Sequence, residues 1–337
     1  MTSFISSEQK KDVSMVVVMG VTGAGKSNFI NTLAGKEVTE EGDSLYACTL
    51  IALFDSGTQS CKLIPVKIGG TTVLIIDTPG FDEAERSDAE ILSEIARLLA
   101  AQYKLGVELK GIVYIHRITD IRFTGSAVKT FEIFKKMCGE KPLKNVMLVT
   151  SRWSEVNEVL GSRREGELRE RFWSYMLDHG SNMSRFYGDR DSAVILISQL
   201  LNKAPIVLNL QRELVDDGKS LKNTSAGSYV YDELELLKGE HRETLADLAR
   251  LRKESARSKA QKRRIESDAT KAERKLRQAE DQQVSLDRQI AAEVDEGIAR
   301  ESRTWSFSKV LPFVLPFLSL VLHVLSGILG VPMAIPI

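Results

Sequence analysis

The chain has 337 residues and a formal net charge of zero, with 46 Lys+Arg against 46 Asp+Glu, 43% hydrophobic and 27% charged. This is ordinary globular content, with room for one large domain plus appendages or for two domains, and it offers no basic field for nucleic acid. Cys48, Cys61 and Cys138 are widely spaced and form no Cys-x-x-Cys pair, so neither a disulfide framework nor a zinc site is expected, and a reduced intracellular compartment is the better reading.

In chain order, residues 1–11 form a polar tail without the apolar run of a secretory signal, and Thr2 stands where N-myristoylation needs glycine. Residues 12–220 read as one doubly wound α/β domain. Val/Ile/Leu-rich runs predict strands at 14–20, 61–68, 71–78, 111–116, 145–150 and 193–198, several of them continuous enough to be buried on both faces. Helix-forming stretches at 26–34, 88–103 and 126–138 fall between them, and this alternation is the pattern of a sheet covered by helices.

The first strand runs into Gly20-Val21-Thr22-Gly23-Ala24-Gly25-Lys26-Ser27. This fits G-x-x-x-x-G-K-S between a strand and a helix, the context that makes the motif specific. Gly20, Gly23 and Gly25 let the backbone curl so that its N–H groups, through Thr22 and Ala24, turn inward on phosphate oxygens. The helix opening at Lys26-Ser27-Asn28 adds the positive end of its dipole. Lys26 is expected at the β/γ-phosphates and the Ser27 hydroxyl on Mg²⁺. The strand at 71–78 delivers Asp77 at its C-terminal end, where such sheets place ligands, followed by Thr78-Pro79-Gly80. Asp77 is expected to hold Mg²⁺ through water and the Gly80 N–H to meet the γ-phosphate; a plain turn would explain the same residues. A switch threonine should lie between the two motifs. Thr49, just before a strand-like run, is preferred to Thr39, the plain alternative being an ordinary strand threonine.

These elements, in this order, resemble the G domain of the septin–Toc–GIMAP group of P-loop GTPases. "GVTGAGKSNFINTLAG", "DTPGF" and "DIRFTGSAVKTFEIF" (120–134) carry the resemblance, which covers roughly residues 12–220. It implies GTP as ligand with Mg²⁺, and dimerisation through G domains. Phe81 follows Gly80 where Ras-like proteins carry the water-orienting glutamine, which implies slow intrinsic hydrolysis or a group supplied by a partner. Arg86, Arg117 and Arg122 are candidates to act on a second copy. Arg122 matches the arginine of the family box and is preferred as a finger that spreads charge onto the γ-phosphate, against the plainer reading of a surface ion pair. His116, at a strand end, reads as structural rather than as a base.

A second departure lies at Ser151-Arg152-Trp153-Ser154, where a GTPase should carry Asn/Thr-Lys-x-Asp. Ser154 replaces the carboxylate that reads guanine, which should relax the choice of base. Arg152 can lie along base and ribose, Trp153 reads as core packing, and Glu155 becomes the reader if the loop shifts by one residue.

Residues 221–304 form a charged helical or coiled-coil region. Between 229 and 304 stand 17 Lys/Arg and 17 Asp/Glu, no proline and two glycines, which favours helix with a solvated face. Its heptad seam is interrupted by polar residues at 255–262. A hairpin folded back on the G domain, a self-associating coiled coil and a partly disordered linker are all compatible with it. No charged residue follows Lys309. The segment 305–337 therefore reads as a C-terminal membrane anchor, with a leaflet-dipping hairpin and a helix in a groove of the G domain as rivals. The whole predicts a GTP-binding, slowly hydrolysing switch or scaffold, homo-dimeric or oligomeric, on the cytoplasmic face of an intracellular membrane, with no nucleic acid as partner. An ATP-accepting hydrolase and a non-hydrolysing pseudo-GTPase are the alternatives.

Overall fold

The computed structural model describes residues 14–35, 61–82, 86–121, 123, 125–254 and 259–304. Thr49, Thr39, Arg122 and the tail 305–337 lie outside the described residues. Two units are formed, residues 1–294 and 295–337.

The first unit is built on strands β1 (Ser14–Gly20), β2 (Lys62–Ile68), β3 (Thr71–Asp77), β4 (Glu108–Arg117), β5 (Val146–Ser151) and β6 (Asn182–Arg185). They lie in the order β2-β3-β1-β4-β5-β6. Only β2, hairpinned to β3, runs antiparallel. Helices α1 (Lys26–Ala34), α2 (Asp88–Leu105), α3 (Gly125–Cys138), α4 (Glu158–Glu167), α5 (Ser174–Asp178) and α6 (Arg190–Leu201) connect the strands. Every residue of β1 is buried, as the two-sided cover of a central parallel strand requires. Val16 and Val18 pack with Phe29, Ile30, Leu33, Leu196 and Ile197 of α1 and α6. On β4, Tyr114 stacks on Phe134 of α3 with ring centroids 4.7 Å apart. Helix α2 starts at a capping box: the Ser87 hydroxyl accepts from the Glu90 N–H at 3.2 Å, and the Glu90 carboxylate accepts from the Ser87 N–H at 2.8 Å.

One predicted strand is wrong. Residues 193–198 belong to helix α6, and the sixth strand is the polar segment Asn182–Arg185. The apolar run is continuous, so strand and helix cannot be told apart by period alone. Burial at Ala193, Leu196, Ile197 and Leu200, with Ile195 57% exposed, is a helical stripe. Asp189 caps the helix, its carboxylate accepting from the Ser192 N–H at 2.8 Å.

The charged region contains the hairpin. Helices α7 (Ser225–Glu254) and α8 (Lys259–Leu286) pair antiparallel, and α9 (Ile290–Thr304) follows. Lys238 Nζ, buried in the seam, donates to Glu235 at 2.8 Å and to Gln283 at 2.6 Å. Three further contacts dock this region on α2 and α3. Lys104 Nζ donates to the Ala291 carbonyl at 2.9 Å, Arg97 meets Glu293 at 3.8 Å, and Lys129 of α3 meets Glu233 of α7 at 3.4 Å. Leu286 and Ile290 are fully buried at that junction. Among the described residues, no helix is long and apolar enough to cross a membrane.

Leu286→Ala should lower the unfolding free energy by about 2–5 kcal/mol, whereas Val284→Ala, two residues away and 69% exposed, should change it by less than about 0.5 kcal/mol. Urea unfolding of the two variants against the wild type checks this; equal effects would show that the hairpin is not docked through Leu286.

Candidate functional site

Strand β1 pairs with β3 on one side and β4 on the other, so the chain reverses direction across the sheet at β1. The crevice at the C-terminal ends of β1 and β4 is where such a sheet binds ligands. The loop Gly20–Gly25 lies in this crevice and leads into α1. Gly20 has φ 146°, and a Cβ there would strike the Ile115 carbonyl of β4, so no other residue fits without displacing that strand. Gly25 caps α1 in the left-handed region. Lys26 is buried, and its ammonium donates to the carbonyls of Gly20 and Val21, each at 3.1 Å. Thr22, Gly23, Ser27 and Asn28 are exposed at the loop's mouth, while Ala24 is buried.

The segment after β3 is laid against this loop. Val21 pairs with Phe81 in a parallel bridge, and the Thr22 N–H donates to the Phe81 carbonyl at 3.1 Å. Gly80 comes so close that a Cβ would sit 2.5 Å from Thr22 Oγ1 and 2.6 Å from its nitrogen. Thr78 Oγ1 donates to the Val18 carbonyl at 2.8 Å, fixing the same segment to β1. Phe81 is 1% exposed, a core side chain with nothing to offer a water.

These contacts bring Asp77 to Ser27. The Ser27 hydroxyl donates to Asp77 Oδ2 at 3.1 Å, while Asp77 Oδ1 is buried without a hydrogen-bond partner. Burial pushes the Asp77 carboxyl up from its ordinary value; the Ser27 hydrogen bond and the Lys26 charge oppose that shift. A buried lone carboxylate oxygen beside a serine hydroxyl fits a hard divalent cation or a water bound to one. Among the described residues, no group of three or more His, Cys, Asp or Glu is placed to hold a metal. A donor set of one carboxylate and one hydroxyl, Asp77 and Ser27, fits Mg²⁺, which keeps waters and takes phosphate oxygens.

The loop after β5 is fixed to the same mouth. The Ser151 hydroxyl donates to the Ala24 carbonyl at 2.6 Å. Arg152 adopts φ 62°, and its guanidinium pairs with Glu155 at 3.1 Å. Trp153 is buried: its indole N–H reaches the Thr150 carbonyl at 3.2 Å and hydroxyl at 3.0 Å, and the Arg185 guanidinium lies 3.9 Å from the ring centre. Arg185 is held in turn by Glu165 at 2.6 Å and Glu158 at 2.7 Å. Hydrogen bonding to Glu165 raises the Arg185 pKa, and the Glu158 carboxyl, bonded to Arg185, is lowered. With Trp153 locked, Ser154 stands exposed in the next position and Glu155 beyond it.

His116 is structural. It is buried against Phe123 and Trp173, and burial pushes its pKa down to about 4, so it is neutral at physiological pH. Arg86 is engaged by Glu94 at 2.5 Å. Arg117, also a candidate to act on a second copy, has its guanidinium beside Gly23 of its own chain's loop. Arg185, the support of Trp153, has no signal in the sequence: it is distant in the chain and sits on the misplaced strand.

Two curated relatives match part of this chain. GTP-binding protein A of Dictyostelium discoideum is 25% identical over 134 residues, 40% of this chain and 27% of that protein. The tRNA modification GTPase MnmE of Bartonella bacilliformis is 31% identical over 87 residues, 26% of this chain and 18% of that protein. The chain thus spans less than a third of the length of either. Among solved structures, a dimerisation-deficient Toc33 from Arabidopsis thaliana aligns with a TM-score of 0.44 at 18% identity, over 60% of this chain and 90% of that one. Toc33 with Mg²⁺ and GMPPNP aligns with a TM-score of 0.42 at 18% identity, over 59% and 88%. Residues 14–159 match the AIG1 family, and that span holds the loop at Gly20–Ser27, Asp77 and the Ser151–Ser154 turn: this part of the chain is a P-loop G domain of the AIG1 family.

Proposed function

We propose that the domain binds GTP with Mg²⁺ at the mouth of β1 and β4 and hydrolyses it slowly. The observation that carries this reading is the Ser27–Asp77 contact with Asp77 Oδ1 left unpartnered, directly beside the Lys26 loop. Ser27 and Asp77 would hold the ion, which neutralises phosphate charge when bound; the loop amides and Lys26 would hold the phosphates. Phe81 supplies no group to orient water, which supports slow turnover and assistance from a second copy or a partner. The charge-free segment after Lys309 supports tethering to the cytoplasmic face of a membrane. Extraction of full-length protein by carbonate alone would sink that part of the reading.

Lys26→Ala and Ser27→Asn should each abolish or greatly weaken binding of Mg²⁺·GTP in calorimetry, with unchanged affinity in either excluding this site. Asp77→Asn should separate stability from function. The charged carboxylate is disfavoured by burial, so its removal should leave the nucleotide-free melting temperature equal or higher. The same variant should lose the extra stabilisation that Mg²⁺·GTP gives the wild type. A lower melting temperature without nucleotide would show that Asp77 is instead a structural hydrogen-bond acceptor.

Relaxed base choice is favoured by the turn at Ser154. A carboxylate there would accept two charge-assisted hydrogen bonds from guanine, each worth about 1.5–3 kcal/mol, so its absence should cost at least about tenfold in preference over adenine. The locked Trp153 and the Arg152–Glu155 pair weigh against a shift of register that would bring Glu155 to the base. In competition between GTP and ATP, Ser154→Asp should raise the preference for GTP by about tenfold or more. Loss of GTP preference in Glu155→Ala alone would identify Glu155 as the reader instead.

A further inference from the structure

We infer that Arg117 is a phosphate-binding residue of its own chain's site. The inference rests on the nucleotide reading above. Arg117 ends β4, on the edge of the crevice opposite Asp77. Its guanidinium is packed on the loop's apex: a Cβ added to Gly23 would lie 2.9 Å from Arg117 Nη1. Lys26 bonds the loop at Gly20 and Val21, so two cations approach the same hollow from different points. The loop amides cradle the inner phosphates. A cation beside Gly23 is placed to meet the phosphates that the loop holds.

The present partner of Arg117 is exchangeable. Its Nε donates to Asp120, three residues on, in a pair whose arginine side chain is 38% exposed. The second neighbour of Asp120 is His116, whose Nε2 is 3.8 Å away and which burial keeps neutral, so Asp120 is the carboxylate that Arg117 must leave or share. A phosphate offers more charge and the same planar recognition by the guanidinium fork. The preceding strand is buried along its length from Gly111 to His116, which leaves the side chain as the moving part.

Calorimetry with Mg²⁺·GMPPNP and Mg²⁺·GDP on wild type, Arg117→Ala and Arg117→Lys tests this. Arg117→Ala should weaken binding of both nucleotides by about tenfold or more, with the lysine variant between. The melting temperature without nucleotide should be unchanged. Unaltered GMPPNP affinity in Arg117→Ala would overturn the inference. So would equal losses for both nucleotides accompanied by a lower melting temperature, which would make Arg117 a brace for Asp120 and the loop. A wild-type protein that binds neither nucleotide would sink the nucleotide reading itself, and this inference with it.

Discussion

The phosphate end of the sheet depends on the close approach of Gly80 to Thr22. Two backbone segments that are both rich in turn residues lie edge to edge there, joined by the Thr22–Phe81 hydrogen bond and the Val21–Phe81 bridge. Nothing larger than hydrogen fits at position 80. Phe81 fixes the segment from behind, since its ring is buried while its carbonyl faces the loop. This arrangement decides where Asp77 ends up. It also explains why residue 81 is apolar: a side chain that anchors the crossing in the core cannot at the same time reach a water in the mouth.

Bringing a carboxylate to the edge of a core has a cost, and the structure meets it only in part. Ser27 donates to one oxygen of Asp77 and Lys26 adds favourable charge, yet burial dominates and the other oxygen has no partner. Buried polar atoms are satisfied in the great majority of cases, so such an exception has physical meaning. A site that binds a cation needs an acceptor that its own protein does not saturate. The lysine lies across two carbonyls of the loop it serves, which provides for its charge while the hollow remains polar.

Much of this was legible in the sequence because the strongest signals are local. The P-loop, the strand that presents Asp77 and helices α1, α2 and α3 follow from spacing, glycine placement and period. The failure at 193–198 has a definite cause. Five consecutive apolar residues satisfy a strand and a helix equally, and the deciding facts were the cap at Asp189 and a long-range partner for the polar strand 182–185. Contacts between distant segments were not legible. The stacking of Arg185 on Trp153, the tie from Ser151 to Ala24 and the place of Arg117 beside Gly23 all depend on strand order, which no local pattern encodes. The charged helices lie between these cases: their helicity is compositional, but their choice of the G domain as partner rests on a few buried positions, among them Leu286 and Ile290.

Strand order also limits what the turn after β5 can do. Helix α4 passes so near the indole that a Cβ at Gly161 would lie 2.6 Å from it, and Arg185 closes the other side with two carboxylates of its own. Trp153 is therefore held by its ring, by its N–H and by the tie of Ser151 to the phosphate loop. A one-residue slip that brought Glu155 to the position of Ser154 would have to break these contacts together and place the Ser154 hydroxyl in the indole's buried site. The turn is rigid on the side facing the core and free only in its exposed side chains. In the proposed reading, base choice would then follow from what stands at position 154, where a hydroxyl recognises less than a carboxylate.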